Sequence, residues 1–146
     1  MEKYLTASVF AVFILTIFMC SSESDEKRDA LADAKRRWSG QALQSYSYVL
    51  VNTGFAPHDS LLVSVSGNVV VKVVDLNTGE VRTSDNADIH LKTVEELFDE
   101  IETEMDLLSA ENVRVTYDET LGYPVSAYYD GGSEGWGFDI LSLTRK

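Results

Sequence analysis

Only one cysteine, Cys20, stands in the 146 residues, so neither an intramolecular disulfide nor a cysteine-based zinc site can form. Histidine is almost as scarce: His58 and His90 are the only two. His58-Asp59-Ser60 imitates a triad in letters alone, because adjacent residues cannot set nucleophile, base and orienter in line. Basic charge is short as well, 12 Lys and Arg against 24 Asp and Glu, which leaves a net charge of −12. A nucleic-acid binder has to neutralise phosphates with clustered Lys and Arg, so the charge argues against that class and disfavours lying flat on an anionic membrane. No G-x-S-x-G elbow, H-E-x-x-H, phosphate-cradling glycine loop or G-x-G-x-x-G occurs. No cofactor and no metal site is expected. The enzymatic option left open is a pair of carboxylates, since acids are plentiful.

The N-terminus carries an apolar run from Tyr4 to Met19, broken only by Thr6, Ser8 and Thr16, after Lys3 and before Cys20-Ser21-Ser22-Glu23-Ser24-Asp25. This is the form of an export signal, although Glu2 weakens its positive start. Three readings follow, and each exports the remainder. The first is a bacterial lipoprotein signal that leaves a lipidated Cys20, although Phe18 and Met19 are larger than the residues such signals usually place before the cysteine. The second is cleavage after Ser22, where Cys20 and Ser22 stand in the small-x-small relation. The third is an uncleaved anchor. Residues 1–20 are thus signal or anchor, 21–29 a polar tether, and 30–146 a single domain of a length able to bury a core without staples.

Asp25 to Gln44 reads as a helix with Ala30, Leu31, Ala34 and Trp38 on one face, ended by Gly40. The cations Lys35-Arg36-Arg37 near its end suit the C-terminal dipole. Ser45 to Val51 alternates as a strand with apolar groups on both faces. Leu61, Val63, Val65 and then Val69, Val71, Val73 flank Ser66-Gly67-Asn68 as a hairpin. Thr93-Val94-Glu95-Glu96 has capping-box spacing, and Val94, Leu97, Phe98, Ile101, Met105 and Leu108 form one apolar stripe behind it. Val113 to Tyr117, Val125 to Tyr129 and Trp136 to Leu143 make a C-terminal meander; in the last strand Trp136, Phe138 and Ile140 share one face, Leu141 and Leu143 the other. The expected fold is α+β, an antiparallel sheet of about six strands with two helices packed on one face.

Trp38, then Tyr46-Ser47-Tyr48, Thr93-Val94-Glu95-Glu96-Leu97-Phe98-Asp99-Glu100-Ile101, Val115-Thr116-Tyr117-Asp118 and Gly122-Tyr123-Pro124 together resemble the bacterial family catalogued as domain of unknown function 6174. The resemblance runs from about Trp38 to the C-terminus. It implies a small exported protein or lipoprotein and supplies no activity. Many members carry a cysteine pair in the loop after the Tyr-x-Tyr strand; here that loop is Asn52-Thr53-Gly54-Phe55-Ala56-Pro57, so no disulfide or metal role carries over.

Three surface features bear on chemistry. Tyr117, Asp118, Tyr123, Tyr128 and Tyr129 gather near one hairpin and would form an aromatic, acidic patch for a peptide or sugar, although Gly122, Pro124 and an Asp118 turn explain most of them structurally. Asp75-x-Asn77-x-Gly79 with Asp85 and Asp88 has broken calcium-loop spacing and reads as an Asx-stabilised turn. Glu95, Glu96, Asp99, Glu100, Glu102, Glu104 and Asp106 make an acidic helix surface, open to a basic partner or to Lys72 and Arg114 if these lie near. The expected function is a non-catalytic binding or accessory module in the cell envelope, lipid-anchored through Cys20, held by the N-terminal segment, or secreted. Its partner would be an envelope protein or peptide. Alternatives are an inhibitor-like module docking through a sheet edge or hairpin, and a small hydrolase using paired carboxylates.

Overall fold

A computed structural model of the chain describes residues 22–54, 59–82 and 92–146. In order they form α1 (Glu23–Gly40), β1 (Ser45–Thr53), β2 (Ser60–Ser66), β3 (Val69–Asp75), β4 (Val81–Arg82), α2 (Val94–Leu107), a 3₁₀ turn (Ala110–Asn112), β5 (Val113–Tyr117), β6 (Pro124–Asp130) and β7 (Gly135–Arg145). The strands make one antiparallel sheet in the order β4-β3-β2-β1-β7-β6-β5. Six of its strands are full length, and β4 adds a two-residue ladder beside Val73 and Val74. The fold is α+β with both helices on one side, as the alternation of strand and helix periods requires. Cys20 and the apolar run, His58, His90, Asp85 and Asp88 lie outside the described residues. Among the described residues no helix is long and apolar enough to cross a membrane.

Helix α1 starts earlier than its apolar spacing suggests. The Ser22 hydroxyl accepts the Asp25 N–H at 3.2 Å, and Glu23, Asp25 and Glu26 place negative charge in the first turn, where the helix dipole favours it. The helix thus begins at Glu23, two residues before the expected start at Asp25, and takes in residues 23–29 of the span also read as a tether. Leu31, Ala34 and Trp38 are buried, while Ala30 is exposed.

Helix α2 forms as its sequence demands. The Thr93 hydroxyl accepts the Glu96 N–H at 3.2 Å, and the Glu96 carboxylate accepts the Thr93 N–H at 2.7 Å. Val94, Leu97, Phe98, Ile101 and Met105 are buried against the sheet. Because Thr93 is itself buried, Thr93→Ala removes a cap that solvent replaces poorly. We expect a loss of about 1 kcal/mol in a urea titration, most of it restored by Thr93→Ser.

Cross-strand partners share a sheet face, and register therefore decides what the helices cover. Tyr46, Tyr48 and Leu50 of β1 pair with Val65, Val63 and Leu61 of β2, and all six are buried beneath the helices. Two of the sheet's three register shifts decide which apolar residues the helices cover. In β7 the register shifts so that Leu50 faces Ile140 while Tyr48 faces Leu143; Leu141 is the extra residue and is 66% exposed. Leu143 thus returns to the helix face and packs on the core, contrary to its expected grouping with Leu141. In β3, Val73 faces Val63 and Val70 faces Val65, so Val70 and Val73 turn inward, and Val69 and Val71 are exposed, where strict alternation puts 69, 71 and 73 together.

The β2–β3 turn is the two-residue Gly67-Asn68, both at φ 60°, as a type I′ hairpin turn needs. After β3 the buried Asp75 carboxylate accepts the Asn77 N–H at 2.7 Å and the Thr78 N–H at 3.2 Å. That is an Asx turn, whose carboxylate is directed at backbone rather than outward at an ion.

Candidate binding cleft

The tyrosine-rich hairpin divides between the two faces of the sheet. Tyr117 and Tyr129 point to the helix side: Tyr117 stacks on Phe98, with ring centres 6.3 Å apart, and Tyr129 is wholly buried with its ring 5.9 Å from that of Trp136. Tyr128 points the other way, where the Arg114 guanidinium lies 4.6 Å from its ring centre, a cation–π contact. Asp118 accepts the N–H groups of Thr120 at 3.0 Å and Leu121 at 2.6 Å, and Tyr123 sets its ring edge-on to Trp38. Asp118 and Tyr123 thus hold a turn against α1, and the five residues share no single surface.

A second group of aromatic residues locks the two helices to β1. The Glu95 carboxylate accepts the Trp38 indole N–H at 2.8 Å and the Tyr46 hydroxyl at 3.1 Å. The Tyr46 oxygen in turn accepts the Val94 N–H at 2.9 Å, one of the orphan donors of α2's first turn. Tyr48 donates to the Lys92 carbonyl just before that helix. Burial holds the phenols of Tyr46 and Tyr48 well above their ordinary range, because a phenolate there would be stripped of water beside carboxylates.

The acidic surface of α2 is answered from α1, and not by Lys72 or Arg114. Lys35 reaches Glu102 at 2.5 Å and Asp99 at 3.4 Å, and Arg28 reaches Asp106 at 2.8 Å. Burial lowers the Lys35 pKa, but Glu102 and Asp99 outweigh it, so the net shift is upward. Lys72 sits on the outer face of β3 opposite Ser64, and Arg114 is on Tyr128. The cations expected to serve the α1 dipole are thus mostly used elsewhere: Lys35 bridges the helices and Arg36 pairs with Asp33 at 2.8 Å.

A hollow lies where α2 overhangs the open ends of β1 and β7. It is a cleft of about 410 Å³ lined by Leu50, Asn52 and Thr53 of β1, Leu97, Glu100 and Glu104 of α2, Lys92, and Trp136, Gly137 and Phe138 of β7. Its floor is apolar, from Leu50, Leu97 and Phe138. Its rim is polar, and Trp136 is 40% exposed at its side. Lys92 and Glu100 form an ion pair across it. Glu104, one turn further along, has its pKa raised by burial and by repulsion from Glu100, opposed by Lys92. Every other acid of α2 has a hydrogen-bond or ion-pair partner. Among the described residues Glu104 has none. Beneath the cleft, burial and then the nearby Glu100 carboxylate push the Tyr129 phenol upward. Glu100 lies close to that hydroxyl but outside hydrogen-bond alignment, and no other described residue bonds it.

A cleft built from ends of β1, α2 and β7 joins residues some 40 positions apart, and no local motif announces it. One signal was legible: Glu100 and Glu104 stand four residues apart beside the buried Leu97 and Ile101, so they flank the apolar stripe and are half-buried, whereas Glu96, Asp99, Glu102 and Asp106 are exposed.

No curated protein matches the chain. The pattern of one family does match, over residues 30–134. That span contains α2, β1 to β6, the Trp38–Tyr46–Glu95 lock and the Gly122-Tyr123-Pro124 turn, and with it the chain belongs to the family of unknown function DUF6174.

Proposed function

We propose that this protein is an exported cell-envelope protein whose domain is a non-catalytic binding module, with its ligand seated in the cleft between α2 and the ends of β1 and β7. The observation that carries the reading is the cleft itself: an apolar floor, an ion pair across its wall and an exposed tryptophan at its side are the mix of area and convergent polar groups that binding sites use. Export is supported by the apolar run from Tyr4 to Met19, and a lipid on Cys20 is the preferred mode of anchoring.

Placing a photo-crosslinking residue at position 136 in native envelopes tests the binding role. A specific adduct is expected there and not from position 72, on the outer face of β3. Adducts that arise equally from both positions refute the cleft as the seat of binding. Intact mass of the exported protein tests the anchor: a lipidated Cys20 is expected, and a mature chain lacking it refutes lipidation.

A second reading has one observation in its favour. Glu100, paired with Lys92, and Glu104, raised by burial, are carboxylates in unlike surroundings, the arrangement that acid–base hydrolysis exploits. Turnover of a glycoside that is abolished by both Glu100→Gln and Glu104→Gln would replace the binding reading with this one.

A further inference from the structure

We infer that the cleft receives a cationic side chain, a guanidinium or an ammonium of a peptide partner, set between the Glu104 carboxylate and the Trp136 ring. The inference rests on the cleft being the binding site and adds the chemistry of what enters it. It begins with the charges of α2. Asp99 and Glu102 are matched by Lys35, Asp106 by Arg28 and Glu100 by Lys92. Glu95 and Glu96 are taken up by Trp38, Tyr46 and the helix cap. Only Glu104 makes no hydrogen bond or ion pair among the described residues, its favourable neighbour Lys92 being bound to Glu100, and like Glu100 it lines the cleft of about 410 Å³. A half-buried carboxylate is poorly hydrated, and a cation that replaces its missing water is held more firmly there than at the exposed acids.

The second observation is aromatic. Trp136 is 40% exposed in the wall of the same cleft, whereas Trp38 is buried. Its inner side is backed by the wholly buried Tyr129. An indole and a carboxylate lining one cleft suit a cation, because the ring quadrupole adds to the ion pair and guanidinium planes stack on the ring. The molecule already makes the same contact with its own side chains, Arg114 on Tyr128. An anionic ligand fits poorly, since the cleft's own cation, Lys92, is engaged by Glu100 and both Glu104 and the overall charge of −12 repel it.

Three probes separate the classes in a two-dimensional NMR titration of the exported chain without its signal: N-acetyl-arginine amide, its neutral isostere N-acetyl-citrulline amide, and N-acetyl-glutamate amide. The arginine amide is expected to shift the Trp136 indole and Glu104 signals saturably, with the citrulline amide about tenfold weaker and the glutamate amide silent. Glu104→Gln is expected to weaken the arginine probe about tenfold, because a charge-assisted hydrogen bond to the guanidinium becomes a neutral one. Glu102→Gln, which removes a charge from the surface facing Lys35, should leave it unchanged. Equal binding of arginine and citrulline amides, or equal weakening in both variants, overturns the cationic class while leaving the cleft a binding site. If no probe moves any cleft signal, both the inference and the cleft reading fall.

Discussion

Gly122→Ala is expected to destabilise the domain by about 3 kcal/mol, roughly 10 °C in melting temperature. Two causes act together. Gly122 has φ +87°, a conformation that costs any residue with a Cβ about 1 kcal/mol. A Cβ there would also lie 2.5 Å from the Ala34 carbonyl oxygen, 2.8 Å from Arg37 Cβ and 3.0 Å from the Trp38 nitrogen. These are atoms of α1's last turns and cannot yield without lifting the helix. The turn that carries Gly122 is closed by the Gly122 N–H to the Asp118 carbonyl and the Asp118 N–H to the Tyr123 carbonyl, both at 2.9 Å. Movement would therefore also drag Tyr123 off Trp38. Gly67→Ala isolates the first cause, because Gly67 has φ +60° and nothing within 4 Å of the added carbon. It should cost only about 1 kcal/mol. Equal losses in the two variants, measured by urea titration, would show that the approach of the turn to α1 contributes nothing.

Alkali is expected to unfold the domain cooperatively within about two to three pH units above 10. Tyr46, Tyr48, Tyr117 and Tyr129 all have phenols raised far beyond their ordinary range, chiefly by burial. The unfolded chain therefore loses these protons first, near pH 10. Stability from the four neutral phenols is complete below that pH and is lost as pH rises toward their folded values. Each contributes about 1.4 kcal/mol per pH unit to the slope, so four would exhaust a typical domain's stability over that interval. Phenolate absorbance followed beside near-ultraviolet circular dichroism should show these tyrosines ionising in the same step that abolishes tertiary signal. Smooth, non-cooperative ionisation with the tertiary signal intact would contradict the burial. Tyr129→Phe should move the alkaline midpoint upward and cost little at neutral pH, because no aligned hydrogen bond is removed. Tyr46→Phe loses a bond from Val94 and one to Glu95, and should destabilise at neutral pH by roughly 2 kcal/mol.

Local signals carried most of the architecture. Thr93 and Glu96 announced the start of α2, the stripe from Val94 to Met105 announced its buried face, and Gly67-Asn68 announced a hairpin. What escaped depended on partners distant in the chain. The bulges at Leu141 and Val71 exist only against β1 and β2, so alternation alone misplaced Leu143, Val69 and Val70. The ion pairs from Lys35 and Arg28 to α2 depend on how two helices cross, and charge spacing within either helix is silent about that. The five hairpin residues lie close together in the sequence, but a strand sends neighbours to opposite faces, and Tyr128 parts from Tyr129 on that ground. The cleft was illegible for the converse reason. Its residues come from three elements, and Trp136 carries no mark in the sequence that tells an exposed ring from a buried one.

The place of β7 in the sheet sets an order of events. It lies between β1 and β6, with Tyr46 opposite Arg145 and Thr53 opposite Gly137, while every other ladder joins strands consecutive in the chain. The sheet is therefore two ribbons, β1 to β4 and β5 to β7, each built of hairpin-type ladders, joined at one seam whose partners are 84 to 99 positions apart. Loop closure over that distance is slow compared with a hairpin. The seam is expected to close after the hairpins, and until β7 is zipped onto β1 the cleft lacks the wall that carries Trp136, Gly137 and Phe138.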